Sequence, residues 1–107
     1  MIHVHIKRSA GQFSQVKVNG HAGKAPHGED IVCAGVSTLV QTYFFSLQRL
    51  LQLDVTVDVR DGYFNMRIPC GLSPAIQEKV NLLGDNMLIG LDEINRGYPG
   101  VLEVQEG

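Results

Sequence analysis

His21 and Cys33 stand twelve residues apart, and their side chains could act together as a base and a nucleophile. A cysteine attacks a carbonyl as its thiolate, and a nearby imidazole can take the thiol proton and later give a proton to the leaving amine. The residues between them contain glycines and a proline and follow no hydrophobic period, which is typical of a loop. Such a loop can bring the end of a strand back to the start of a helix.

Asp30 is predicted to be the N-cap of that helix, which makes Cys33 its third residue. The unpaired N–H groups and the positive end of the helix dipole would then stabilise a thiolate at this position. The same N–H groups could hold the oxyanion that forms when the sulfur attacks a carbonyl. Ser37 follows Cys33 by one helical turn, so it lies on the same helix face and could line the site.

Other interpretations of these residues remain open. A lone helical cysteine is often a small buried hydrophobe, His21 could be a surface residue, and His27 could serve as the base. Cys70 follows a strand and is interpreted as a turn residue; it would be the only resolving partner for a thiol redox sensor, and there is no C-x-x-C motif. Two histidines on one strand, His3 and His5, make a weak metal site without a third ligand, so we expect no metal and no cofactor.

The composition sets the class of protein. The chain has 107 residues, 44% of them hydrophobic and 19% charged, which favours one globular domain spanning residues 1–107. The net charge of −2 argues against direct nucleic-acid binding, and two cysteines are too few for a disulfide scaffold. The sequence begins directly with a strand pattern, and residues 31–48 contain too many polar side chains for a good membrane span. We therefore expect a cytoplasmic protein that does not contact a membrane.

The hydrophobic periods predict the element order ββαββαβ. Two strands precede a helix that begins after Asp30, and Asp61-Gly62 marks a second hairpin, for which we predict a type I′ turn. Ser73 and Pro74 signal the start of the second helix. The predicted fold is α+β, a two-layer sandwich with a mostly antiparallel sheet and two helices on one face. The other sheet face would be polar and could be covered in part by a dimer partner; it carries His3, His5, Lys17, Thr56, Asp58 and Arg67.

Two sequence segments resemble one known family. Residues 20–23 read GHAG and residues 28–37 read GEDIVCAGVS, a pattern similar to that of the ribosomal-processing cysteine proteases called Prp. The resemblance extends over essentially the whole chain. Gly35 departs from the alanine usual in the family and removes no reactive group. The resemblance implies that Cys33 is the nucleophile and His21 its partner, and Asp30 and Ser37 match other characteristic positions.

The resemblance also implies a specific function. The family removes a short apolar N-terminal extension from a large-subunit ribosomal protein, number twenty-seven, and forms homodimers. We therefore expect a cysteine endopeptidase whose partner is the precursor of that ribosomal protein. The glycine-rich segment would line the substrate or close over it, through Gly20, Ala22, Gly23 and Gly28. A non-catalytic ribosome-assembly or peptide-binding module is the alternative hypothesis.

Overall fold

The computed structural model describes residues 1–20 and 27–107, and for residues 27–30 it describes the backbone only. Within this part of the chain, the elements follow the predicted order ββαββαβ. Their bounds are β1 (Ile2–Ser9), β2 (Gln12–Asn19), α1 (His27–Arg49), β3 (Thr56–Arg60), β4 (Tyr63–Arg67), α2 (Pro74–Gly97) and β5 (Leu102–Glu106).

The strands form one sheet in the order β3-β4-β2-β1-β5, in which β1 and β5 are parallel and the other neighbours antiparallel. Ala10 and Gly11 connect β1 to β2 with φ angles of 52° and 81°, as a type I′ turn requires. The β3–β4 hairpin lies where it was predicted, but of its two turn residues only Gly62 is left-handed, with φ 69°. The prediction of a type I′ turn at this hairpin is therefore wrong.

One face of the sheet is buried and the other is open. On β1, Ile2, Val4 and Ile6 are buried, whereas the alternating His3 and His5 are exposed. Both helices contribute buried apolar side chains to the same core cluster, which confirms the two-layer sandwich with both helices on one face. The buried side chains of α1 are those of Val32, Val36, Val40, Tyr43, Phe44 and Leu47.

The start of α1 differs from the prediction. The helix begins at His27, so Asp30 is its fourth residue and not its N-cap, and Gly28 is helical. One glycine costs a helix only about 1 kcal/mol, which is small enough for an additional turn to form through Gly28. Cys33 is consequently the seventh residue of α1. Its backbone N–H lies beyond the unpaired groups of the first turn, where the dipole effect is concentrated.

A long stretch of α1, Ile31–Arg49, has the length and mean hydropathy of a membrane-spanning helix. Our expectation of a poor span rested on its polar side chains. In the fold, Val36, Val40 and Leu47 from this stretch are buried in the core. The apolar stripe of α1 is therefore used to cover the sheet.

The start of α2 agrees with the sequence prediction. The Ser73 side chain accepts a hydrogen bond of 3.3 Å from the Ile76 N–H, and Pro74 occupies the first turn. Pro74 has no N–H to leave unpaired there, and its fixed φ suits a helix start. These residues fix the point from which α2 crosses the sheet beside α1.

Glycines allow the helices to approach each other and the sheet closely. An added Cβ at Gly90 of α2 would lie 2.7 Å from the Leu39 side chain of α1, and one at Gly35 would lie 3.0 Å from Ile94. At Gly84, an added Cβ would lie 2.6 Å from the ring of Phe13 on β2. Because these three positions carry no side chain, the neighbouring residues can pack directly against the helix backbone.

A buried tyrosine also joins the two helices. The Tyr43 hydroxyl of α1 donates a hydrogen bond of 3.1 Å to the carbonyl of Val80 on α2, and the Tyr43 ring packs edge-on against Phe13. Burial raises the pKa of Tyr43 above its usual value, so the hydroxyl keeps its proton and remains a donor. This bond fixes the position of α1 relative to α2.

Replacing Gly84 by alanine is expected to lower the free energy of unfolding by about 1–3 kcal/mol, because the new methyl group overlaps the buried Phe13 ring. Gly97→Ala is the matched control, since nothing lies within 4 Å of its Cβ position. That control should change stability by less than about 1 kcal/mol, towards stabilisation. Urea unfolding of both variants checks this, and equal stability of the two would contradict the packing described.

Candidate active site

A cleft of about 260 Å³ separates α1 from the β3–β4 hairpin and reaches down to β2. The helix contributes Cys33, Val36, Ser37 and Gln41 to its lining. The opposite wall is the hairpin, residues 59–64, and the remaining lining residues are Ile2, Val18 and Gly20. The cleft therefore combines a thiol, polar helix side chains and an apolar floor.

Cys33 lies at the boundary between this cleft and the core. Its side chain is half-buried, carries a free thiol, and packs against the core cluster. Ser37 follows at the next turn and Gln41 at the turn after that, and both are exposed. Because residues four apart share a helix face, these three side chains form one row along the cleft. We define this row, Cys33, Ser37 and Gln41, as the cleft row.

Gly20 occupies the rim of the cleft and fixes the chain just before His21. Its φ angle of 85° is left-handed, and a Cβ there would collide with the carbonyl oxygen of Met1. Its N–H donates a hydrogen bond of 3.0 Å to the carbonyl of Gly62 in the hairpin turn. Position 20 therefore requires glycine, because its φ is left-handed and because the Met1 carbonyl leaves no room for a Cβ.

The other predicted residues of the glycine-rich segment have different outcomes. His21, Ala22 and Gly23 lie outside the described residues, so the pairing of His21 with Cys33 stays a prediction. Gly28 belongs to α1, and the predicted loop therefore does not extend through residues 27–29. The oxyanion site that we predicted from the first-turn amides is likewise displaced from Cys33 by the earlier helix start.

His3, His5 and Cys70 lie away from this cleft, and the side chain of His27, the alternative base, lies outside the described part of the structure. His3 is exposed on the polar sheet face, where its Nδ1 is 3.4 Å from Glu103 Oε1, and His5 is exposed on the same face. Cys70 is an exposed free thiol beyond the end of β4 opposite to the hairpin turn. Cys33 lies beside the hairpin-turn end of β4, and Cys70 follows its other end. At about 3.3 Å per residue, the length of β4 keeps the two cysteines farther apart than a disulfide can span. This placement argues against a redox pair of Cys33 and Cys70.

Among the residues that the structure describes, no group of three histidine, cysteine or acidic side chains is placed to hold a metal ion. Sequence reasoning also missed part of the cleft. Gln41 could have been found, because it repeats the spacing from Cys33 to Ser37. The hairpin wall could not, since its distance from α1 depends on how the layers pack.

Comparisons with known proteins give one consistent family. The sequence profile described as Cysteine protease Prp matches residues 1–103. The Ribosomal processing cysteine protease Prp of Bacillus subtilis is 34% identical over 107 residues, covering 97% of this chain and 96% of that protein. The protein of the same name from Staphylococcus aureus is 29% identical over 93 residues, covering 82% and 81%.

Solved structures agree with the sequence matches. The ribosomal processing protease Prp from S. aureus, in complex with a substrate peptide, matches with a TM-score of 0.84 at 24% identity. A second structure of that protease, with a covalently linked product peptide, matches with a TM-score of 0.80 at 26% identity. Both matches cover 100% of this chain and of the compared chain.

Gly20→Ala is expected to destabilise the fold more than Gly11→Ala. Both glycines have left-handed φ angles, so both variants incur a backbone cost of about 1–2 kcal/mol. Only the alanine at position 20 also collides with backbone, because nothing lies within 4 Å of the Gly11 Cβ position. We expect an additional loss of at least about 1 kcal/mol for Gly20→Ala in urea unfolding. Equal losses for the two variants would contradict the close approach of Gly20 to Met1.

Proposed function

This chain belongs to the Prp family of cysteine proteases, and on that basis we propose that it trims a ribosomal protein precursor through Cys33 and His21. The proposed substrate is large-subunit ribosomal protein number twenty-seven, from which a short apolar N-terminal extension is removed. The observation that carries the proposal is the free thiol of Cys33 in a cleft with an apolar floor. An extended apolar peptide suits such a cleft, because its side chains leave water on binding.

Cys33 is the proposed nucleophile. Its thiolate attacks the scissile carbonyl carbon, and the tetrahedral intermediate collapses to a thioester as the C–N bond breaks. Water then attacks the thioester, which releases the new carboxylate and restores the thiol. The covalently linked product peptide in the S. aureus protease, 26% identical to this chain, supports this route.

His21 is the proposed proton carrier. It takes the thiol proton from Cys33 and gives a proton to the leaving amine. It then accepts a proton from the attacking water and returns it to the Cys33 sulfur as the thioester breaks. Gly20, which directly precedes His21 in the sequence, lines the same cleft as Cys33 and is bonded to the hairpin turn. That anchor supports the assignment.

The oxyanion requires a donor other than the first-turn amides of α1, since the helix begins six residues before Cys33. We assign this role to the Ser37 hydroxyl, which follows Cys33 by one turn and lines the cleft. A hydroxyl can rotate to donate to an oxyanion without any change in the backbone. Asp30, as a residue inside the helix, has no capping role in this mechanism.

Other parts of the proposal rest on the family resemblance. They are a single protease domain spanning residues 1–107, a homodimer, and a cytoplasmic location where the precursor is made. The family assignment favours an enzyme over the alternative of a non-catalytic peptide-binding module. The mechanism uses no metal and no cofactor, because thiol and imidazole together supply both the nucleophile and the proton transfers.

Replacing Cys33 by alanine or serine is expected to reduce cleavage of the precursor by at least about a thousandfold, since the covalent step is lost. His21→Ala should cause a loss of similar size, because removing one member of a catalytic pair costs about as much activity as removing both. Cys70→Ala is the matched control and should cleave as fast as wild type. The rate is measured by electrophoresis, and the cleavage position by N-terminal sequencing of the product.

Two results would contradict the proposal. One is a Cys33→Ala variant that cleaves at the rate of the Cys70→Ala control. The other is tight binding of the precursor by the wild-type protein under reducing conditions with no cleavage at all, which would favour the binding module.

A further inference from the structure

The cleft continues along α1 beyond Ser37 into an apolar recess. This recess has a volume of about 30 Å³ and is lined by Val18, Val36, Ser37, Val40, Gln41 and Phe64. Ser37 and Gln41 line both the cleft and the recess, so the two form one continuous depression. The recess therefore lies next to the proposed nucleophile, on the side towards the C-terminal end of α1.

The floor of the recess is apolar and held in place. Phe64 is half-buried, and its ring packs edge-on against Phe44 of α1 with 6.4 Å between the centroids. Val59 pairs with Phe64 across the hairpin and keeps 62% of its surface exposed. An apolar side chain placed here would cover exposed apolar surface and gain the corresponding burial energy.

The rim of the recess is polar. Gln41 is exposed, and its side-chain amide carries both donors and an acceptor. A peptide lying in the cleft presents alternating N–H and C=O groups that an amide can bond in either direction. Gln41 thus fits the main chain of a bound peptide while Phe64 fits one of its side chains.

Helix geometry sets the distance of the recess from the reacting bond. Ser37 and Gln41 follow Cys33 by four and eight residues, about 6 and 12 Å along the helix axis. An extended peptide rises about 3.3 Å per residue, so these distances correspond to two to four residues of substrate. A side chain in the recess would accordingly belong to a residue two to four positions from the scissile bond.

We propose that Gln41 and Phe64 determine specificity for one apolar substrate residue, two to four positions from the scissile bond. This inference rests on the proposed function of the cleft as a protease site. Phe64 receives the apolar side chain, and Gln41 bonds the adjacent main chain and borders the same subsite. Neither residue takes part in the bond-breaking step.

The test uses a peptide library in which each position around the cleavage site is varied in turn. Gln41→Lys should raise kcat/KM for peptides with an acidic residue at one position in this window, by about tenfold relative to the same neutral peptide. Gln41→Glu should show the opposite preference, for a basic residue at the same position. Gln105→Lys and Gln105→Glu are matched controls, because Gln105 is exposed on β5.

A second pair of variants tests the floor of the recess. The recess of about 30 Å³ admits only a small apolar group, and Phe64→Ala enlarges it. This variant should therefore shift the preference at that same position from small towards large apolar residues by about tenfold, whereas Phe64→Leu should shift it less. Circular dichroism checks that both variants fold. If Phe64→Ala does not fold, the Gln41 variants still test the subsite, because Gln41 is exposed.

The outcomes separate this inference from the proposed function. If wild type cleaves the library but the Gln41 variants keep the selectivity of the Gln105 variants at every position, the specificity assignment is overturned and the protease assignment stands. If wild type cleaves no precursor or peptide, both are overturned. A charge preference that reverses between Gln41→Lys and Gln41→Glu at a single position supports the assignment.

Discussion

The architecture depends on a mismatch of width between the two layers. Five strands at about 4.8 Å spacing make a sheet broader than two helices packed 8–10 Å apart can cover completely. The close approaches at Gly35 and Gly90 narrow the helical layer further. The uncovered strip falls at β3, an edge strand whose five residues are all exposed, including Val57 and Val59. An apolar strip beside α1 is therefore left open to solvent.

The cleft follows from that uncovered strip. The side of α1 that faces α2 packs against it through Gly35 and Leu39. On the side that faces the hairpin, no helix from the described part of the chain lies beside α1. The cleft row lies on this second side, so a half-buried thiol and two polar groups border an apolar floor. The Gly20–Gly62 hydrogen bond joins the segment before His21 to the same hairpin. The β3–β4 hairpin therefore forms the wall opposite Cys33 and also anchors the residue that precedes His21.

Much of this could be predicted from the sequence, because periodicity reports which side chains are buried. The alternation of Ile2, Val4 and Ile6 gave the buried face of the sheet correctly, and Ser73 gave the start of α2. The placement of Ser37 on the same helix face as Cys33 also agrees with the structure. These features depend on local geometry, because the spacing of residues determines which side chains share a face of a strand or helix.

The sequence predictions fail where local signals compete, as at the start of α1, or where tertiary packing determines burial, as on β3. Gly28 suggested a loop, but the helix extends through it, and the prediction of Asp30 as the cap and of Cys33 in the first turn was therefore wrong. Val57 and Val59 alternate with polar residues as on a buried strand face, yet they are 40% and 62% exposed because neither α1 nor α2 covers β3. The contact of Gly20 with Met1 joins two distant positions in the sequence, so no local pattern reveals it.

The proposed function depends on a covalent bond between Cys33 and the substrate. Mass spectrometry of the protein, acid-quenched during turnover of a precursor peptide and digested with trypsin, tests it directly. We expect an acyl adduct on the fragment 25–49, which contains Cys33, with the mass of the N-terminal product less one water, and none on the fragment 68–79, which contains Cys70. Cleavage with no adduct on the fragment 25–49, or an adduct on the fragment 68–79 alone, would show that Cys33 is not the nucleophile.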